Sequence, residues 1–93
     1  MLFDKFNMDI KDNFEIKFAK AYPKFTKNLV LKIDDITPQE IKICMCIKMS
    51  FSSEYIREYL KISENTLANV RSGIRKKLCL KRSESLTNYI LCI

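Results

Sequence analysis

The sequence has almost none of the residues that tight turns require. Glycine occurs once, at Gly73, and proline twice, at Pro23 and Pro38. A sheet in a chain of this length needs several tight turns, and glycine and proline are the residues that supply them. Hydrophobic residues make up 47% of the 93 positions, enough for a core, so disorder is excluded. The composition therefore predicts one domain of the all-α class.

Histidine is absent, and so is every arrangement that usually carries catalysis. We find no glycine-rich phosphate loop, no nucleophile beside a base and no metal-ligand cluster, so we expect no enzyme, no cofactor and no metal. The four cysteines form no CxxC pair, which argues against zinc. They lie in apolar runs, at Cys44, Cys46, Cys79 and Cys92, and are predicted to be small buried residues in a reducing cytosol.

Long apolar runs are also missing. No window approaches the 18 or so apolar residues of a membrane span. The N-terminal stretch MLFDKFNMDIKDNF has no basic region leading into an apolar segment, so it does not look like a signal peptide. We therefore expect a cytoplasmic protein without a membrane partner.

Positive charge is concentrated in the C-terminal half. Residues 1–36 carry seven lysines and six acidic residues, whereas residues 37–93 carry ten basic and five acidic residues. Within residues 62–83, six basic side chains accompany a single acidic one, Glu64. This local excess suits a polyanionic partner, and the alternative is a basic face that is merely solvated.

The N-terminal half predicts three helices. Apolar residues at helical spacing mark a first helix from about Asp9 to Tyr22, and a second is expected from Pro23 to Lys32. Thr37 and Glu40 form a capping box that opens the third helix. The body of that helix, IKICMCIKM, is apolar on more than one side, so it should have two packing partners. We infer that the helices of residues 1–36 cover its second face.

Three further helices follow at short intervals. Ser52 or Ser53 should cap a fourth helix ending at Leu60, and Ser63 a fifth helix reaching about Cys79. Ser83 is the expected cap of a last helix from Glu84 to about Cys92. Along the fifth helix the apolar stripe consists of Leu67, Val70, Ile74 and Leu78. The opposite face is small and polar and ends in a basic cluster, as in a helix that reads DNA in the major groove.

These marks together resemble the LuxR/FixJ/GerE helix-turn-helix effector domain. The segment that carries the resemblance is ITPQEIKICMCIKMSFSSEYIREYLKISENTLANVRSGIRKKLCLKRSESLTNYI, with its T-P-x-E opening, its serine-capped helices and its R-K-K-L close. The preceding FEIKFAKAYPKFTKNLVLKIDDIT resembles the segment before this domain in Bacteroidetes-type regulators, where the module is a C-terminal output domain. Residues 1–36 would then be a packed helical extension and residues 37–93 the domain itself.

The resemblance implies a transcriptional regulator, or its output domain, that binds double-stranded DNA and contacts RNA polymerase. The residues expected to contact bases are Ala68, Asn69 and Ser72, and an asparagine amide can pair bidentately with adenine. Those expected at the DNA backbone are Ser53, Asn65, Thr66, Arg75, Lys76, Lys77 and Lys81. Tyr89 and Cys92 on the last helix would form a homodimer contact.

Several residues depart from the family pattern. Glycine is usual at the positions of Ser50, Lys61 and Cys79, and alanine at that of Arg57. Two other functions stay open: the changes at Lys61 and Arg57, which affect the joint of the motif, motivate the first, and the second uses the same motif, although the N-terminal extension argues against it. One is a helix-turn-helix module that binds protein without reading DNA, and the other is a promoter binder like region 4 of a sigma factor.

Overall fold

The structure, a computed structural model, describes the backbone of residues 10–93 and the side chains of residues 14–93. This part of the chain forms six α-helices and no strand, which confirms the all-α prediction. The helices are α1 (Ile10–Ala21), α2 (Phe25–Lys32), α3 (Pro38–Lys48), α4 (Ser53–Leu60), α5 (Glu64–Lys77) and α6 (Leu86–Leu91). Asp9, the expected first residue of α1, lies outside the described residues.

Serine and threonine side chains begin four of the helices. At α3 the predicted capping box is confirmed, because the Thr37 hydroxyl accepts from the N–H of Glu40 at 3.1 Å and the Glu40 carboxylate accepts from the N–H of Thr37 at 2.9 Å. Ser52, Ser63 and Ser85 likewise accept from the backbone N–H three residues on. Four of the helix starts therefore follow from local side-chain chemistry.

Two helix starts differ from the prediction. α2 begins at Phe25 and not at Pro23, since the N–H of Phe25 donates to the carbonyl of Tyr22 in a preceding turn. The cap of α6 is Ser85 and not Ser83. Residues 81–84 are used in a separate turn, in which the N–H of Glu84 donates to the carbonyl of Lys81 at 3.0 Å.

The core is built around α3. All five side chains of residues 43–47 are buried, as expected for a helix with neighbours on more than one side. α3 packs against α5 and α6. The N-terminal helices and the segment after them contribute to the same core the buried residues Phe14, Phe18, Phe25, Leu29 and Ile33. Residues 14–33 are thus packed into the fold and do not form a separate linker.

The cysteine prediction is half right. Cys44 and Cys46 are buried on α3, and burial raises the pKa of each thiol to about 12. Cys79 and Cys92 are exposed, because each follows the last turn of a helix and does not lie on a core-facing stripe. No helix in residues 10–93 combines the length and the apolar character needed to cross a membrane.

Candidate nucleic-acid interface

α4 and α5 form two helices joined by a three-residue turn. The turn begins at Lys61, which adopts the left-handed conformation with φ 55° and ψ 49°, and the N–H of Ile62 donates to the carbonyl of Arg57 at 3.0 Å. Ser63 then closes the turn. Its hydroxyl accepts from the N–H of Thr66 at 3.0 Å and donates to the Thr66 hydroxyl at 2.9 Å. The first turn of α5 is therefore fixed by two hydrogen bonds between Ser63 and Thr66.

The described residues include three non-glycine residues with positive φ. They are Ser50 (61°), Lys61 (55°) and Cys79 (57°), the three positions at which glycine is usual in the LuxR-type pattern that the sequence resembles. An L-residue pays on the order of 1–2 kcal/mol for this conformation. The backbone thus keeps a glycine-type shape at three helix ends although the side chains do not favour it.

α5 has one buried and one exposed face. Leu67 and Ile74 are buried, with Val70 and Leu78 partly buried beside them, which confirms the predicted apolar stripe. The exposed face, which we call the α5 outer face, consists of Asn65, Ala68, Asn69, Ser72 and Lys76. Within the described part of the chain, no side-chain hydrogen bond or ion pair engages these five residues. The outer face therefore presents free amide, hydroxyl and ammonium groups along three turns of helix.

Lys77, which is expected at the DNA backbone, forms an ion pair with Glu40 and a hydrogen bond with Asp35. Its Nζ lies 2.9 Å from Oε1 of Glu40, donates to the carbonyl of Asp35 at 2.9 Å and lies 3.8 Å from the Asp35 carboxylate. The ammonium thus ties the end of α5 to the capping box of α3. Lys77 therefore has partners within the chain, and its contact with the DNA backbone stays a prediction.

The Glu40–Lys77 pair also shifts both titrations. Burial by itself raises the pKa of Glu40, but the hydrogen bonds from Lys77 and from the N–H of Thr37 outweigh it and leave the pKa below its ordinary value. The hydrogen bond to Glu40 raises the pKa of Lys77. Both groups are consequently charged at neutral pH.

Arg75 is engaged as well. One terminal N–H donates to the carbonyl of Glu84 and the other to the carbonyl of Lys81, each at 2.7 Å. Two of the five N–H donors of the Arg75 guanidinium are thus used within the chain, and its contact with the DNA backbone stays a prediction. Arg82, for which the sequence predicted no role, adjoins Lys81, and both side chains are exposed.

The remaining predicted contacts lie at the edges of this surface. Ser53 is exposed in the first turn of α4, and Thr66 is partly exposed at the start of α5. On α4, Arg57 is half-buried with its Nε buried and without a hydrogen-bond partner among the described residues.

The residues predicted at a dimer contact lie on a different surface. Tyr89 and Cys92 line a shallow depression of about 400 Å³ between α2 and α6, where Nζ of Lys32 is 5.8 Å from the centre of the Tyr89 ring. Tyr89 is half-buried and Cys92 exposed. In the described part of the chain, no three His, Cys, Asp or Glu side chains group so that they could hold a metal ion.

Comparison with known proteins finds no family model, no curated protein and no solved structure that matches the chain. Function is therefore inferred from the geometry of α4, α5 and the turn of residues 81–84.

Proposed function

We propose that this chain binds double-stranded DNA sequence-specifically, as a transcriptional regulator or its output domain, with α5 in the major groove. The observation that carries the proposal is the α5 outer face, whose polar side chains are small, exposed and unpaired. The exposed face of a surface helix usually carries charged and polar residues. Here the residues of the middle turns are Ala68, Asn69 and Ser72, which let a helix approach base edges closely.

In this proposal the residues along α5 make different kinds of contact with DNA. Asn69 can donate to N7 and accept from N6 of adenine, Ala68 can touch a thymine methyl, and Ser72 can pair with either base or phosphate. Asn65 and Thr66 lie in the first turn, where the positive end of the helix dipole favours a phosphate. Lys76 lies at the far end and would bind phosphate, with Ser53 and Lys81 at the flanks.

The local geometry also supports a LuxR-type helix-turn-helix as the fold of residues 37–93. The capping box at Thr37, the serine caps of α4 and α5, and the three left-handed residues all fall where that resemblance requires them. In this proposal the α6 surface with Tyr89 and Cys92 joins two copies, so that two α5 helices reach half-sites about one helical turn apart.

Fluorescence anisotropy with pooled, labelled genomic fragments, at about 50 and 200 mM salt, tests the proposal. We expect affinity to fall steeply with salt, because each neutralised phosphate releases counterions. Lys76→Ala should weaken binding to all fragments and lower the salt slope by about 1, whereas Asn69→Ala should remove the preference among fragments. The matched controls are Lys27→Ala on α2 and Gln39→Ala on α3, which remove an ammonium and a carboxamide from other exposed positions.

Two results would contradict DNA reading. One is the absence of binding at low salt with tens of micromolar protein, and the other is equal behaviour of the outer-face variants and their controls. Either would favour the module that binds protein alone. Co-purification with RNA polymerase, in place of binding to DNA alone, would instead favour a promoter binder of the sigma type.

A further inference from the structure

The turn after α5 is closed by a network of short hydrogen bonds. Arg75 donates to the carbonyls of Lys81 and Glu84 at 2.7 Å each, and the N–H of Lys81 donates to Oε1 of Glu84 at 2.7 Å. Backbone bonds add to these, since the N–H of Leu80 donates to the carbonyl of Arg75 and that of Glu84 to the carbonyl of Lys81, both at 3.0 Å. We call the combination of Arg75 with residues 81–84 the clamped turn.

Only an arginine can make this clamp. The planar guanidinium presents two parallel N–H groups that reach two carbonyls at once, whereas a lysine ammonium is a single point donor on a flexible stem. The two carbonyls belong to residues three apart in sequence. The pair of hydrogen bonds from Arg75 therefore fixes the path of the backbone between them. Arg75 therefore determines where the intervening residues lie.

The clamped turn leaves its two cationic side chains outside. Lys81 and Arg82 are exposed, and no hydrogen bond or ion pair of either side chain is found in residues 14–93. One oxygen of the nearby Glu84 carboxylate, Oε1, accepts from the N–H of Lys81. Arg75 precedes Lys76 by one position, about 100° around the helix. The turn that it holds is thus anchored beside the α5 outer face.

We propose that Arg75 is a positioning residue and that the clamped turn is a second contact with the DNA backbone, made by Lys81 and Arg82. The inference rests on the proposed function. If the turn were loose, its side chains and backbone would have to be ordered on binding, at a cost in affinity. The hydrogen bonds of Arg75 order the turn during folding, so the phosphate-binding groups are already in place when α5 enters the groove.

The decisive comparison is between Arg75→Lys and Arg75→Ala in the full chain, with anisotropy on an enriched DNA fragment. We expect both variants to lose affinity by the same factor, about two- to tenfold, because both break this pair of hydrogen bonds. A direct phosphate contact predicts the opposite, since lysine would keep the charge and most of the affinity. Retention of wild-type affinity by Arg75→Lys alone would thus overturn the positioning role.

The double variant Lys81→Ala/Arg82→Ala tests the contact itself without touching the clamp. We expect it to lower the salt slope by about 2, one for each phosphate contact. Adding Arg75→Lys to it should cause little further loss, because the clamp acts through these two residues. Full additivity, or an unchanged slope in the double variant, would refute the inference.

The inference and the proposed function can fail separately. If Asn69→Ala and Lys76→Ala weaken binding while Lys81→Ala/Arg82→Ala does not, DNA reading stands and the second contact is refuted. If the wild-type chain binds no DNA at low salt, both are refuted. Lys27→Ala serves again as the charge-matched control.

Discussion

At the scale of the single residue, the conformation of Lys61 is the clearest case of a backbone requirement that overrides side-chain preference. The turn between α4 and α5 needs a left-handed residue, because only then can the N–H groups of residues 61 and 62 both reach the carbonyl of Arg57. Glycine meets this need without steric cost. Lysine meets it with strain, which the hydrogen bonds and packing on both sides offset.

Replacing Lys61 by glycine should therefore stabilise the protein. We expect Lys61→Gly to raise the free energy of unfolding by about 0.5–1 kcal/mol, the relief of the left-handed strain less the added freedom of glycine in the unfolded chain. In a domain of this size 1 kcal/mol corresponds to a rise in Tm of about 4–8 °C. Lys61→Ala is the matched control: it loses the same charge but keeps Cβ, so its Tm should change little. Equal shifts in both variants would show that charge is the cause.

The sequence could predict residues whose partners are local, and it failed where the partner depends on the path of the chain. The left-handed positions were predictable from the glycine pattern, and the outer face of α5 from helical spacing. Arg75 and Lys77 looked like phosphate ligands because a basic run at a helix end is usually solvated. Their partners within the chain are carbonyls of the 81–84 turn and a carboxylate 37 residues away in sequence, which no spacing rule indicates.

At the scale of the helix, α3 shows how a cap can become a tertiary contact. The Glu40 carboxylate completes the capping box of its own helix and also accepts from Lys77 at the end of α5. The start of α3 is thus fastened to the end of the proposed recognition helix. Capping boxes can be predicted from sequence because their partners lie three residues apart. The start of α6 could not be, since Ser83 and Ser85 are both acceptable caps and the clamped turn decides between them.

The Glu40–Lys77 pair should make stability depend on pH. The pKa of Glu40 is lowered on folding, so its contribution is present above the unfolded value of about 4.5 and is lost as pH falls through the folded value. The pKa of Lys77 is raised above 10.5, so its contribution is present below that value and is lost as pH rises through the folded pKa. The full contribution of the pair is therefore confined to the range between these limits.

Glu40→Gln isolates this effect, because the amide keeps an acceptor for Thr37 but carries no charge. We expect the wild type to have the higher Tm at pH 7 and the difference to shrink as pH is lowered below 4.5 through the folded pKa of Glu40, where the carboxyl becomes protonated. Thermal unfolding followed by circular dichroism at each pH measures it. A difference in Tm that does not change over this range would mean that the charge of Glu40 contributes nothing.

At the scale of the whole molecule, aromatic contacts join α1 to α4 and to the segment before it. The ring of Phe14 on α1 lies 5.4 Å from that of Phe51, which precedes α4, and 5.6 Å from that of Tyr59 near the end of α4. Phe18 continues the cluster to Phe25 on α2, with ring centres 5.1 Å apart. α1 thus supports α4, which in turn supports α5. The two apolar sides of α3 predicted that the N-terminal helices pack against that helix, but the contacts of Phe14 with Phe51 and Tyr59 could not be predicted from spacing.

Phe14→Ala tests whether residues 10–93 unfold as one unit. Phe14 is only 6% exposed, so we expect a loss of about 3–5 kcal/mol, the usual cost of truncating a buried phenylalanine, in one cooperative transition. The control is Ile16→Ala two positions on, where the side chain is 57% exposed and the loss should stay within about 0.5 kcal/mol. Urea unfolding should be followed by circular dichroism and by tyrosine fluorescence, since the described rings of Tyr55 and Tyr59 lie beside the cluster. The opposite result is a tyrosine fluorescence transition that stays at the wild-type midpoint while the circular dichroism transition shifts. It would mean that α1 unfolds independently and that α4 and α5 keep their geometry without it.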